Sequence, residues 1–153
     1  MFSQTAEYAL RAMSWLALTP DDLVPTPLLA EKTRVPSNYL SKVLQQLAGA
    51  GLIVGRRGVG GGYRLARVAR DITLIQVVNA VDKVERIESC PLGLSEHGTN
   101  LCPLHRISDN AAAAVIEILG GTTLQDLIDD KNASKPMCDT ETLAKLTVSG
   151  RRS

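Results

Sequence analysis

Arg56-Arg57-Gly58-Val59-Gly60-Gly61-Gly62-Tyr63-Arg64-Leu65 constrains this chain more than any other stretch, because it sets two arginines and a glycine-rich turn between short apolar runs. A glycine cluster permits the positive φ angles of tight hairpins. Ile53-Val54 and Tyr63-Arg64-Leu65 are therefore expected to pair as a small hairpin, the wing of a winged helix. Arg56, Arg57 and Arg64 would sit near a narrow cationic tip, a shape suited to the phosphates and minor groove of DNA. Glycine-rich loops also cradle nucleotide phosphates. Here a dinucleotide fingerprint would need a third glycine where Tyr63 stands, and no Lys-Ser or Lys-Thr follows as in a P-loop.

The residues before the wing carry the same reading. In Pro25-Thr26-Pro27-Leu28-Leu29-Ala30-Glu31-Lys32, Thr26 is expected to cap a short helix, with Pro27 at its first position. Thr33-Arg34-Val35-Pro36 breaks it. A second helix is expected from Ser37 to Ala50, with Leu40, Val43, Leu44, Leu47 and Ala48 on one buried face. Asn38, Ser41, Lys42 and Gln45 fall opposite. A lone helix of this kind could simply be solvated on its polar side. Helix, turn, helix and basic wing in succession instead predict a helix-turn-helix whose second helix enters the major groove. Asn38, Tyr39 and Ser41, at the exposed start of that helix, are expected to govern sequence choice, with Lys42 and Gln45 beside them. Arg56, Arg57 and Tyr63 serve the wing, Arg57 as its minor-groove anchor.

The chain has 153 residues, 44% of them hydrophobic, which suits one compact domain with an appended helix. A formal net charge of only +1 argues against indiscriminate coating of nucleic acid. It leaves room for a local basic surface on Arg56, Arg57, Arg64, Arg67 and Arg70. No stretch approaches the roughly 20 apolar residues that cross a bilayer, so a cytoplasmic protein without membrane contact is expected. Residues 149–153 read as a disordered tail.

Ser3 or Thr5 can open a first helix with the apolar stripe Ala6, Ala9, Leu10, Met13, Leu16 and Ala17. After the wing, Asp71 or Thr73 starts a helix over Leu74–Val81, and the periodicity then lapses from Asp82 to Leu101. A long helix is expected from Pro103 to Leu119, with Leu104, Ile107, Ala111, Ala114, Val115 and Ile118 along one side. Gly120-Gly121 stops it, and Thr122 or Thr123 caps a last helix through Leu124, Leu127 and Ile128. An alanine-rich apolar flank far from the DNA-binding part suits a symmetric dimer contact, although an intramolecular bundle would use the same pattern. The fold class is thus mainly α with a small β-hairpin wing. Its parts are a winged helix-turn-helix domain (1–82), a cluster-binding loop (83–105), a dimerisation helix with a short following helix (103–131) and a variable tail (132–153).

Three cysteines in a reducing compartment cannot all pair. Cys90 and Cys102-Pro103-Leu104-His105 bracket Glu96 and His97, gathering two thiols, two imidazoles and a carboxylate in one loop. Such donors suit iron, zinc or copper, and Cys102 and His105 can face one centre across the first turn of a helix. Reduced thiols without a metal satisfy the same sequence. Nothing resembles an enzyme's paired base and nucleophile.

Thr5-Ala6-Glu7-Tyr8-Ala9-Leu10-Arg11, Asn38-Tyr39-Leu40, the wing from Arg57 to Tyr63, Asp71-Ile72-Thr73-Leu74 with Val81-Asp82, and Thr123 to Ile128 together resemble the Rrf2 family of bacterial transcription regulators over residues 1–130. The resemblance implies a winged-helix homodimer on a palindromic operator. It also implies a [2Fe-2S] cluster that senses redox, iron-sulfur or nitric oxide status; sensing by cysteine oxidation or by zinc, or no sensing cofactor, is the alternative. By this resemblance Cys90, Cys102 and His105 are cluster ligands, and Glu7 joins from the partner subunit, with His97 as the alternative fourth ligand. The family's usual middle cysteine is absent, its place falling near Glu96. Glu7 can also pair with Arg11 at i,i+4. Cys138 reads as an incidental thiol of the tail.

Overall fold

The computed structural model describes residues 2–96, 99–131 and 136. Ser3 starts the first helix, α1 (Gln4–Leu18), by accepting the Ala6 N–H at 3.1 Å. Its stripe is broad, with Ala6, Ala9, Ala12, Met13 and Leu16 fully buried. That breadth lets α1 serve as the central element on which the other helices of the core converge.

The second helix, α2 (Thr26–Thr33), begins one residue earlier than its sequence suggests. Pro25 occupies the capping position in an extended conformation and no side chain caps the helix; Thr26 and Pro27 already lie within it. The cause is tertiary, because Val24 is held to the wing by reciprocal 2.9 Å hydrogen bonds with Tyr63 and the chain leaves that bridge directly into the helix. Arg34 closes α2 in the left-handed region (φ 54°), its N–H donating to the Ala30 and Glu31 carbonyls. Helix α3 (Ser37–Gly49) buries Leu40, Val43, Leu44 and Leu47, the apolar face expected of it.

Strands β1 (Ile53–Arg56) and β2 (Gly62–Leu65) pair antiparallel, Ile53 opposite Leu65 and Arg56 opposite Gly62. Ile53 and Leu65 face the core while Val54 and Arg64 face outward, the alternation a half-buried hairpin requires. Gly62 adopts φ 148°, and a β-carbon there would collide with the Val24 carbonyl, so only glycine lets the wing's base lie against the entrance of α2.

Beyond a short 3-10 turn (Ala69–Asp71), a capping box between Thr73 and Gln76 opens α4 (Leu74–Val81). The connection 82–102 has no helix or strand among its described residues, and α5 (Pro103–Gly120) follows with Cys102 at its cap. A second capping box, Thr123 with Asp126, opens α6 (Leu124–Asp129). Backbone bonds from Leu74 N–H to Thr122 and from Leu124 N–H to Ile72 draw α6 back against the start of α4. Leu124 is fully buried there, in the same core as α1 and α3. No helix among the described residues is long and apolar enough to cross a membrane.

Candidate DNA interface and cysteine site

The core face of α3 determines where its polar residues point. At about 100° per residue, Asn38, Lys42 and Gln45 project opposite Leu40, Leu44 and Leu47, and all three are exposed. Ser41 is exposed beside them, its hydroxyl donating to the Ser37 carbonyl at 3.0 Å. Tyr39 is exposed as well, and its ring lies 6.3 Å from that of Tyr8 in α1, tilted by 57°. The structure therefore gathers Asn38, Ser41, Lys42 and Gln45 on one surface and sets Tyr39 at its edge.

On the wing side, Thr26, Ala48, Arg56, Arg57 and Tyr63 line a single groove between the hairpin and the first residues of α2. Arg56 ends β1 and Arg57 leads into the turn, which the Gly61 N–H closes by donating to the Gly58 carbonyl at 3.0 Å. Tyr63 is half-buried, its ring packed over Gly55, so its side chain braces the hairpin as well as lining the groove. Among the described residues, none of Arg56, Arg57, Arg64, Arg67 and Arg70 enters an ion pair. Their charges are available to phosphate.

Helix α5 has no buried residue. Leu104, Ile107, Ala111, Ala114 and Ile118 recur at alternating three and four residues, and the large ones remain 68%, 66% and 66% exposed. Val115, assigned to this stripe from its spacing, is instead half-buried on the inner flank with Ala112, Ile116 and Leu119, where α5 meets α4. Four residues beyond Ala111, Val115 is rotated by about 40° from it, which sets it at the edge of the outer stripe next to the inner flank. Ile116 was missed by the sequence reading, although the spacing of Ala112, Ile116 and Leu119 marks a second stripe.

The cysteine loop is partly assembled. Cys102 Sγ lies 3.4 Å from His105 Nδ1 across the first turn of α5. Cys90 is buried at the other end of the loop. Glu7 is engaged on its own chain, where Arg11 Nε donates to its Oε1 at 3.0 Å. The same Arg11 reaches the Thr33 carbonyl and stands 5.8 Å from the Tyr8 ring centroid. His97, Cys138 and residues 149–153 lie outside the described residues. Among those described, no three ligand-type side chains come together as a metal-binding group. A contact that the sequence reading did not foresee holds the loop to the helix: Arg86 donates two hydrogen bonds to the Asp109 carboxylate, and Ile87 N–H a third.

The Rrf2 family model, described as an iron-dependent transcriptional regulator, matches residues 2–130. A chain of Aquifex aeolicus named among HTH-type transcriptional regulators is 31% identical over 132 residues, 84% of this chain and 92% of that one. The HTH-type transcriptional regulator IscR of Photobacterium profundum is 32% identical over 129 residues, 84% of this chain and 75% of the other. Among solved structures, CymR, the global cysteine regulator of B. subtilis, superposes with a TM-score of 0.70 at 24% identity, covering 86% of this chain and 98% of that one. The fold is that of winged-helix regulators, and these relatives are regulators rather than enzymes.

Proposed function

The chain belongs to the Rrf2 family of transcriptional regulators, and on that premise we propose that it binds a palindromic operator as a homodimer and senses redox or iron-sulfur status through a [2Fe-2S] cluster. The observation that carries the sensing part is the thiol–imidazole contact of Cys102 and His105 at the first turn of α5, at one end of the exposed stripe of that helix. The family's iron-dependent description and the IscR relatives agree with it.

Two copies of α5 paired along Leu104, Ile107, Ala111, Ala114 and Ile118 would bury the exposed stripe and hold two α3 helices at neighbouring half-sites. Asn38, Ser41, Lys42 and Gln45 then meet base edges, with Tyr39 at their border. Arg56 and Arg57 take phosphates and the minor groove beside Tyr63.

The donor set suits the group. Cys102 and His105 would hold it from α5 and Cys90 from the loop, with Glu7 of the partner subunit, or else His97, completing the set. When bound, such a cluster supplies one-electron redox chemistry, at a potential raised by imidazole ligation. Release of Glu7 from Arg11 is inexpensive, because exposed ion pairs contribute at most about 1 kcal/mol. Ligands drawn from both the loop and α1 would tie sensing to the helix that supports α3.

Cys90 and Cys102 also suit sensing by thiol oxidation, and tetrahedral zinc would use the same side chains. Iron and acid-labile sulfide assays on anaerobically purified protein decide between these. About two of each per chain, with visible absorbance lost in Cys90→Ala and Cys102→Ala, is the expected result. Zinc without sulfide, or neither, overturns the cluster. An intact spectrum and midpoint potential in His105→Ala removes that ligand.

A further inference from the structure

The arginines that the sequence places on one basic surface divide between two grooves. Arg56 and Arg57 line the groove beside Ala48 of α3 and the first residues of α2. Arg64, Arg67 and Arg70 line another, walled by Ala17 at the end of α1 and by Gln125 of α6, and no residue of α3 borders it. The two grooves have no lining residue in common. Alternation along β2 explains part of the division, since neighbours such as Tyr63 and Arg64 project from opposite faces of a strand. Arg64 stands across the hairpin from Val54 on its outer face. The chain after β2 adds Arg67, Val68 and Arg70 to the same groove, all three exposed.

Charge and apolar surface coincide in this outer groove. The whole chain carries 17 basic and 16 acidic side chains, yet here three arginines face a single lining carboxylate, that of Asp21. None of the three enters an ion pair among the described residues, and like charges gathered so closely repel until an anion comes between them. Between them, Val54 is 44% and Val68 57% exposed. An apolar patch rimmed by charge marks an interaction site, and arginine is enriched at such surfaces. The sugar-phosphate backbone of DNA would satisfy the arginines but offers no apolar group to cover the valines. A peptide offers both. Each carboxylate can take two N–H groups of one guanidinium, and an apolar side chain can remove the valines from water.

We propose that the outer groove of the wing, built on Arg64, Arg67 and Arg70 around Val54 and Val68, docks an acidic segment of a partner protein that carries an apolar residue between its carboxylates. Arginine clusters are a recurrent means of capturing acidic motifs. Because this groove and the DNA-facing one are built from different residues, partner and operator can be held at once. The proposal stands whatever occupies the cysteine site.

The test uses the full-length chain and a short fluorescein-labelled peptide, rich in glutamate around a central Leu-Phe pair, followed by fluorescence anisotropy. The same peptide with serine at both central positions is its control. The parent should bind the Leu-Phe peptide more tightly than the control. Arg67→Gln with Arg70→Gln should weaken it about five- to ten-fold, and Val68→Ser about three-fold for the Leu-Phe peptide alone. Arg56→Gln with Arg57→Gln should leave it within about two-fold of the parent. Equal weakening by the two arginine pairs, or equal affinity of the parent for both peptides, overturns the proposal, because the attraction is then diffuse charge. Binding of a mixed-sequence duplex separates the DNA alternative: its salt slope should be the same for the parent and for Arg67→Gln with Arg70→Gln. A slope reduced by about 0.9 for each arginine lost would give the groove to phosphates instead. A changed oligomeric state of that variant in light scattering would give it to a second copy of the chain, and either result overturns the acidic-peptide assignment.

Discussion

Leu44 of α3 and Ile107 of α5 both stand on apolar stripes of amphipathic helices, but Leu44 is fully buried and Ile107 is 66% exposed. The stripe of α3 is covered by α1, α2, α4 and β1 of its own chain, within a core that also takes in Leu124 of α6. Among the described residues nothing covers the outer stripe of α5, and its inner flank only half-buries Ala112, Ile116 and Leu119. Apolar periodicity states that a face must leave water without naming what covers it. In the winged-helix body the cover is intramolecular, and stability belongs to the single chain. If, as proposed, a second copy completes the same pattern in α5, its energetics depend on concentration.

The comparison breaks first at the core. Leu44→Ala should cost about 2–5 kcal/mol of unfolding free energy, whereas Ile107→Ala, measured in urea at concentrations where the chain is monomeric, should cost less than about 1 kcal/mol. Equal losses would mean that α5 is covered by its own chain after all. Ala114→Glu sets an unpaired charge in the proposed seam and should weaken association by about 3–5 kcal/mol while sparing the thermal midpoint of the body. A dimer undisturbed in light scattering would place the interface elsewhere. Thr123→Ala sharpens the boundary, since α6 follows α5 in sequence but packs with α1; loss of its capping box should lower the stability of the body by about 1 kcal/mol in calorimetry. Arg57→Ala should reduce the slope of log affinity against log salt by about 0.9 for a half-site and leave folding unchanged. The same slope as the parent would exclude a charge contact there.

The smallest effect concerns pH. Hydrogen bonds from Arg86 and then from the Ile87 N–H hold the Asp109 carboxyl down to about 2. A carboxyl lowered on folding contributes above its unfolded value of about 3.9 and loses that contribution as pH falls toward its folded one. Hydrogen exchange at the Ile87 amide, corrected for its intrinsic rate, should therefore keep the same protection between pH 5 and 8. A protection factor falling within that range would show that the clamp opens at pH values where Asp109 stays ionised.

Much of the body was legible because its signals are local. Ser3 and Thr73 sit where a capping hydroxyl is expected, the α3 stripe follows the helical period, and the glycine run places the hairpin within two residues of the observed strands. Thr26 shows where locality fails: the Val24–Tyr63 bridge, between residues far apart in sequence, moves the capping position of α2 from Thr26 to Pro25. Tyr39 stands beside Tyr8 of α1, at the border of the surface that carries Lys42 and Gln45. For the candidate site, the Cys102–His105 contact was readable from a spacing of three on a helix, whereas the hold of Asp109 on Arg86 and Ile87 was not. Its partners are more than twenty residues apart, across the irregular connection and the first turns of α5, and no periodicity relates them.

By itself the sequence determined which segments become helices, where the glycine turn falls and which residue types could take phosphate or metal, because caps, turn chemistry and apolar period act over a few residues. Only the tertiary structure decided that α6 returns to the body, that Val115 and Ile116 face inward while Ile107 and Ile118 do not, and that Asp109 grips the loop bearing Cys90. Each of these follows from which surfaces meet after collapse, and the free energy of such a meeting belongs to two distant segments together.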